Sequence, residues 1–186
     1  MNSTANSLNP TALPDSAIDL LHGRDLMLAQ MIWVRQYTLQ LIQSVPDELW
    51  YVIPGSAPSH LAWQVGHIAV AQYGLMLFRQ RGRAAGDMEI MPGWLRKQFG
   101  KGSVPASIDR SVAQPSDLLH LLALIHKQAC FEVATLSDKI LAEPTEMPFA
   151  AYPTKLGALL FCPIHESIHA GQIGVLRRLH GLEPIR

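Results

Sequence analysis

His165, Glu166 and His169 make a His-Glu-x-x-His pattern near the end of the chain. On a helix the two histidines stand one turn apart on the same side, as two imidazoles must to share one metal ion. With the glutamate between them, this is the helix motif of zinc proteases in which the glutamate is the base. Those enzymes commonly take their third ligand downstream, either a histidine six residues further on or a glutamate on a later helix. Val175 occupies that position, and the short stretch after His169 leaves no room for another helical layer. The third ligand is therefore expected upstream.

His67 is the leading upstream candidate. It lies mid-way along a proline-free run from His60 to Arg81, on a face with Trp63, Val70, Gly74 and Leu77, and Gly66 and Ala71 keep its surroundings small. His60, on the same face but in the first turn, is expected to be satisfied by solvent and ranks second. Taken singly, His67 is better explained as a core histidine bonded to a carbonyl, and the pair at 165 and 169 that lacks a third ligand shifts the balance. Three neutral imidazoles with one position left to water suit Zn²⁺, with Ni²⁺ or Fe²⁺ as alternatives. A closed structural zinc would need a fourth protein ligand, and Cys162 is the only thiol nearby.

The elements that must position these residues follow from hydrophobic spacing. Residues 1–14 read as a flexible tail, and 15–186 as one domain. Asp15 or Ser16 can cap a first helix whose inward positions are Leu20, Met27, Met31, Val34 and Leu41, ending before Pro46. Ser59 is the expected cap of the second helix. The third starts at Pro115 with Ser116 as its cap and carries Leu118, Leu122, Ile125, Ala129, Val133, Leu136 and Ile140. His120 and His126 fall beside that stripe, as boundary residues. Thr154 can cap a fourth helix through Leu179, interrupted chemically by Pro163, with Leu160, Ile164, Ile168, Val175, Leu176 and Leu179 expected inward. The pattern is all-α, a four-helix bundle, with a long connection over 82–115. Within that connection Pro92 to Phe99 can form two helical turns. The cations Arg79, Arg81, Arg83, Arg96, Lys97 and Lys101 make either a solvated rim or a lid that offers charge to an anionic substrate.

Fifteen basic and fifteen acidic residues give no net field to draw nucleic acid or an acidic membrane surface. No apolar run approaches the ~20 residues that span a bilayer. The two cysteines, Cys130 and Cys162, lie in apolar runs without metal or disulfide spacing, as in a cytoplasmic protein.

Trp-Gln-Val-Gly-His-Ile at 63–68, His-Glu-Ser-Ile-His-Ala-Gly-Gln-Ile-Gly at 165–174 and the order of elements over about 15–181 resemble the DinB-like family. The resemblance implies a four-helix bundle holding a divalent metal on His67, His165 and His169, frequently as a homodimer. Some family members are transferases or isomerases dependent on low-molecular-weight thiols such as bacillithiol or mycothiol. The expected activity is therefore metal-dependent S-transfer or a related hydrolysis or isomerisation. Glu166 is expected as a base or as a group orienting an imidazole, and Gln172 as a hydrogen-bond partner of water or substrate, or else a boundary contact. The competing readings are a non-catalytic metal-binding stress or scaffold protein that dimerises through its helices, and a bundle whose three histidines are merely hydrogen-bonded in the core.

Overall fold

The computed structural model describes residues 20–108, 110–111 and 113–185. The expected tail and the Asp15 or Ser16 cap lie outside them. Four long helices carry the architecture: α1 (Leu20–Gln43), α2 (Leu61–Gln72), α3 (Pro115–Val133) and α4 (Lys155–Leu179). α2 runs on through a π-helical segment, Tyr73–Phe78, into Arg79–Arg81. α1 packs along α4, while α2 packs against both α3 and α4. This is an all-α four-helix bundle, and among the described residues no strand forms. None of the described helices is long and apolar enough to cross a membrane.

The bundle closes on a stripe from each helix. Met27, Met31, Val34 and Leu41 of α1 are buried as their spacing predicts, together with Leu118, Leu122, Ile125, Ala129 and Val133 of α3. Pro115 takes the first helical position of α3, where its missing N–H is no loss. The cap there is Gln114, whose backbone N–H donates to Asp117 Oδ2 at 2.8 Å, and Ser116 is already inside the helix. α3 also stops earlier than its apolar spacing suggests. Leu136 and Ile140 follow a turn, and Ile140 belongs to a separate helical turn, Asp138–Leu141. Thr154 caps α4 as expected, accepting from Gly157 N.

The buried face of α4 differs from the expected one. It is Leu159, Cys162, Glu166, His169 and Ile173 together with Leu176, which is buried as expected, whereas Ile164, Ile168, Val175 and Leu179 are each about half exposed. The two stripes have the same helical period and differ only in rotation about the axis. An ion pair between Glu166 and Arg35 turns the carboxylate inward, and the aliphatic residues turn outward.

The 82–115 connection is held down by the short helix Gly93–Phe99, which packs on α2. Leu95 and Phe99 are fully buried. The approach is close because residue 66 is glycine: a Cβ there would lie 2.4 Å from the Phe99 ring. Contact between backbone and ring at this point places the carbonyl of residue 99 against α2.

Candidate metal centre

His67 leaves α2 facing α4, and His165 and His169 leave α4 facing α2. One ligand nitrogen from each of the three lies within 4.8 Å of the others. The rings gather closely, with centroids 5.3 Å apart for His67 and His165, 4.9 Å for His67 and His169, and 4.5 Å for His165 and His169.

Neighbouring groups set the tautomers. His67 Nδ1 donates to the Phe99 carbonyl at 2.8 Å, so its neutral ring keeps the lone pair on Nε2. His169 Nδ1 donates to Gln64 Oε1 at 2.6 Å, which likewise leaves Nε2 free to coordinate. The Gln64 amide is in turn fixed by donating from Nε2 to Ser59 Oγ at 2.6 Å. Trp63 stacks on His67 with centroids 4.6 Å apart and an interplanar angle of 8°, and its indole N–H is anchored on Ser103 Oγ. A ligand imidazole whose second nitrogen donates to an oxygen is the usual arrangement at protein metal sites.

Burial holds all three imidazoles neutral. It lowers His67 below the ordinary histidine range, His165 to about 4 and His169 to about 3. Repulsion from His67 adds to the shift of His165, and repulsion from His165 and His67 to that of His169. The Nε2 atoms of His165 and His169 stand 3.3 Å apart. With the His169 proton committed to Gln64, that nitrogen presents a lone pair toward its neighbour. A cation placed among the three nitrogens satisfies all of them, so the donor set fits a divalent ion bound by nitrogen.

The remaining residues picked out from the sequence fall elsewhere. His60 is 2% exposed rather than solvated, and it, not Ser59, caps α2. Its Nδ1 accepts from Trp63 N and its Nε2 donates to the Pro105 carbonyl, which uses both ring nitrogens. Cys162 is buried and stays outside the histidine group. Burial pushes its thiol well above the usual range, with Glu166 adding to the effect.

Glu166 is 1% exposed, and both its oxygens are taken by Arg35, Nε to Oε1 and Nη2 to Oε2, each at 2.8 Å. This geometry gives the carboxylate a partner on α1 in place of the expected role beside the imidazoles. Arg35 completes its donors on the Leu122 carbonyl and Gln72 Oε1, and Gln72 Nε2 donates to His126 Nδ1 at 3.0 Å. Burial, with the Arg35 charge adding to it, lowers His126 to about 4. Gln172 is solvent-exposed on the outer face of α4.

No spacing pattern in the sequence marks Gln64, Trp63 and Phe99, which orient the ligands, for that role. Gln64 carried a signal, being a polar residue one turn before His67 in an apolar helix. Arg35 carried a stronger one, as the only charge between Asp25 and Asp47.

The site opens onto a cleft of about 950 Å³ lined by His67 and His165 at one end. Its floor is α2 and the π segment, and Phe149 and Phe161 stand along its wall.

A helical bundle with three inward histidines on facing helices, open to a cleft, belongs to the class of proteins that could hold a divalent metal ion at such a site. The family model of the DinB superfamily matches residues 30–173, and the chain belongs to that superfamily. No curated protein matches the chain.

Proposed function

We propose that the protein is a metal-dependent enzyme of the thiol S-transferase type, using His67, His165 and His169 as its ligands and the adjoining cleft as its substrate site. One observation carries this reading: the three-nitrogen cluster opens directly onto a large cleft, and among the described residues no fourth cysteine, aspartate or glutamate joins it. A purely structural zinc site is usually closed by four protein ligands. A divalent ion such as Zn²⁺ or Ni²⁺ would supply Lewis acidity, lowering the pKa of a thiol or water bound there.

The chain's own residues account for the rest of the chemistry. Phe99 and Gln64 hold the two imidazole protons away from the site, so His67 and His169 present unprotonated nitrogen at neutral pH. Trp63 fixes the plane of His67. The cleft holds an electrophile beside the ligands, with its aromatic walls excluding water from that side. Both cysteines are free thiols, consistent with a cytoplasmic setting and a small-molecule thiol as cosubstrate.

Metal-loaded protein, screened with small thiols against a panel of alkyl halides, epoxides and activated alkenes, is expected to accelerate thiol consumption. His165→Ala should abolish the acceleration. A silent panel with metal bound would overturn the enzyme reading and leave the non-catalytic scaffold in its place.

We also propose a homodimer, formed through the outer faces of α1 and α4. Leu26, Ile32, Trp33 and Leu39 are exposed on α1, Trp33 at 66%, and Ile164, Ile168 and Val175 are exposed on α4. Between Asp25 and Asp47 the outward positions of α1 are uncharged, as are those of α4 from Ile164 to Val175. An uncharged apolar face needs no complementary charge and suits a second copy of itself. Light scattering should give twice the chain mass for the protein and a monomer for Trp33→Glu/Ile168→Glu. A monomeric parent protein would refute the dimer.

A further inference from the structure

The side of the cleft at Phe149 differs chemically from the histidine side. Arg79 and Lys101 both line the cleft, and both stand against Phe149. Arg79 donates through Nη1 to the carbonyls of Glu146 and Phe149, which pins the 144–149 loop and leaves its other guanidinium nitrogens without a protein partner among the described residues. Lys101 Nζ sits 4.6 Å above the centre of the Phe149 ring. Neither cation is in an ion pair among the described residues, although Glu146 lies at the same rim. Two cations and one carboxylate leave this side one positive charge in excess.

Between the two sides the walls are apolar. Phe149 and Phe161 stand with centroids 6.3 Å apart, and Phe161 is 5.9 Å from the His165 ring. A run of aromatic rings thus leads from the imidazoles to Lys101. The floor carries no obstruction, because a Cβ at Gly74 would meet nothing within 4 Å. Gly74 shares the side of His67 by ordinary helical spacing, and the wider π turn brings Arg79 round to that side as well, in keeping with the frequent placement of such segments at functional sites. His67 and Arg79 are about three turns apart, roughly 18 Å at the α-helical rise.

We infer that the cleft takes an elongated monocarboxylate with an aromatic body, its carboxylate on Arg79 and Lys101, its rings along Phe149 and Phe161, and its reacting end at the histidines. The inference rests on the proposed metal site only for the position of that reacting end. Charge and shape of the cleft supply the rest. The excess charge calls for one anionic group, and the unbroken aromatic wall for a flat apolar body rather than a sugar-like one.

The test is calorimetric titration of the metal-loaded and the chelator-stripped protein with 4-biphenylcarboxylate and with the neutral 4-biphenylmethanol. The acid is expected to bind about tenfold or more tighter than the alcohol, the factor that one charge-assisted hydrogen bond supplies. Lys101→Gln should reduce that preference to within a fewfold. Gly74→Leu, which puts a side chain into open cleft, should remove binding of both compounds while metal content stays at the parental level. A preference that persists in the stripped protein supports the cleft assignment even if no metal were found in the native protein, so the two readings fail separately. Equal affinity for acid and alcohol would overturn the inference. So would acid binding that requires metal and survives Lys101→Gln, since the carboxylate would then sit at the histidines.

Discussion

His169→Ala protein, purified without an affinity tag and reloaded with Zn²⁺, is expected to retain less than about a tenth of the metal that the parent holds at equal free Zn²⁺. His67→Ala and His165→Ala should do the same. The expectation follows from ligand number: three imidazoles converge within 4.8 Å of one another, and removing one leaves a two-nitrogen site with no other donor in the group. Gln64→Ala gives a graded result, because it removes only the acceptor that holds His169 Nδ1–H. Loss of such an outer partner lowers metal affinity by about 10–100-fold. His60→Ala is the matched control. It takes away the cap of α2 and the bond to Pro105, costing about 1 kcal/mol of stability, and should leave metal content alone. Elemental analysis with a competition titration reads all five proteins. Full occupancy in His67→Ala would remove α2 from the site, and loss of metal in His60→Ala with retention in His67→Ala would exchange the two histidines.

Glu166→Ala should destabilise the fold by about 3–5 kcal/mol, because it leaves the Arg35 guanidinium buried with no anion beside it. That is a large share of the roughly 5–15 kcal/mol by which proteins of this kind are stable. Glu166→Gln keeps the shape and still loses the charge, so it should also destabilise, by less. Pairing Glu166→Met with Arg35→Met should recover part of the loss, since a buried ion pair replaced on both sides by apolar groups leaves no isolated charge. The recovery is incomplete because the Leu122 carbonyl and Gln72 Oε1 lose their donor. Urea unfolding measures each value. The same variants decide what Glu166 does. A structural ion pair predicts lowered stability with metal content unchanged in the folded fraction. A base at the metal predicts unchanged stability in Glu166→Gln with loss of turnover, and that outcome would contradict the geometry.

The sequence by itself determined the helices, the bundle and the three histidines. Each is a matter of periodicity or of spacing along one chain segment. Met27, Met31 and Val34 on α1, or Leu118, Leu122 and Ile125 on α3, repeat at helical intervals, and His165 and His169 fall on one side of any helix that contains them both. The motifs at 63–68 and 165–174 carried the superfamily assignment as well. Helix ends were less legible. His60 and Gln114 outcompete serines as caps through bonds to Trp63 N and Asp117, and α3 stops at Val133 although apolar residues continue at the right interval.

Only the tertiary structure decided which way α4 is turned. A helical period fixes the angle between residues and leaves the absolute rotation free. Aliphatic residues at 164, 168 and 175 compete for the interior with a stripe that includes Glu166. The deciding partner, Arg35, lies on α1, so its bond to Glu166 exists only once α1 and α4 are packed. The same holds for the ligand-orienting bonds of Gln64 and Phe99 and for the cations of the cleft. Each joins groups from separate segments of the chain, whose distance apart no local pattern encodes.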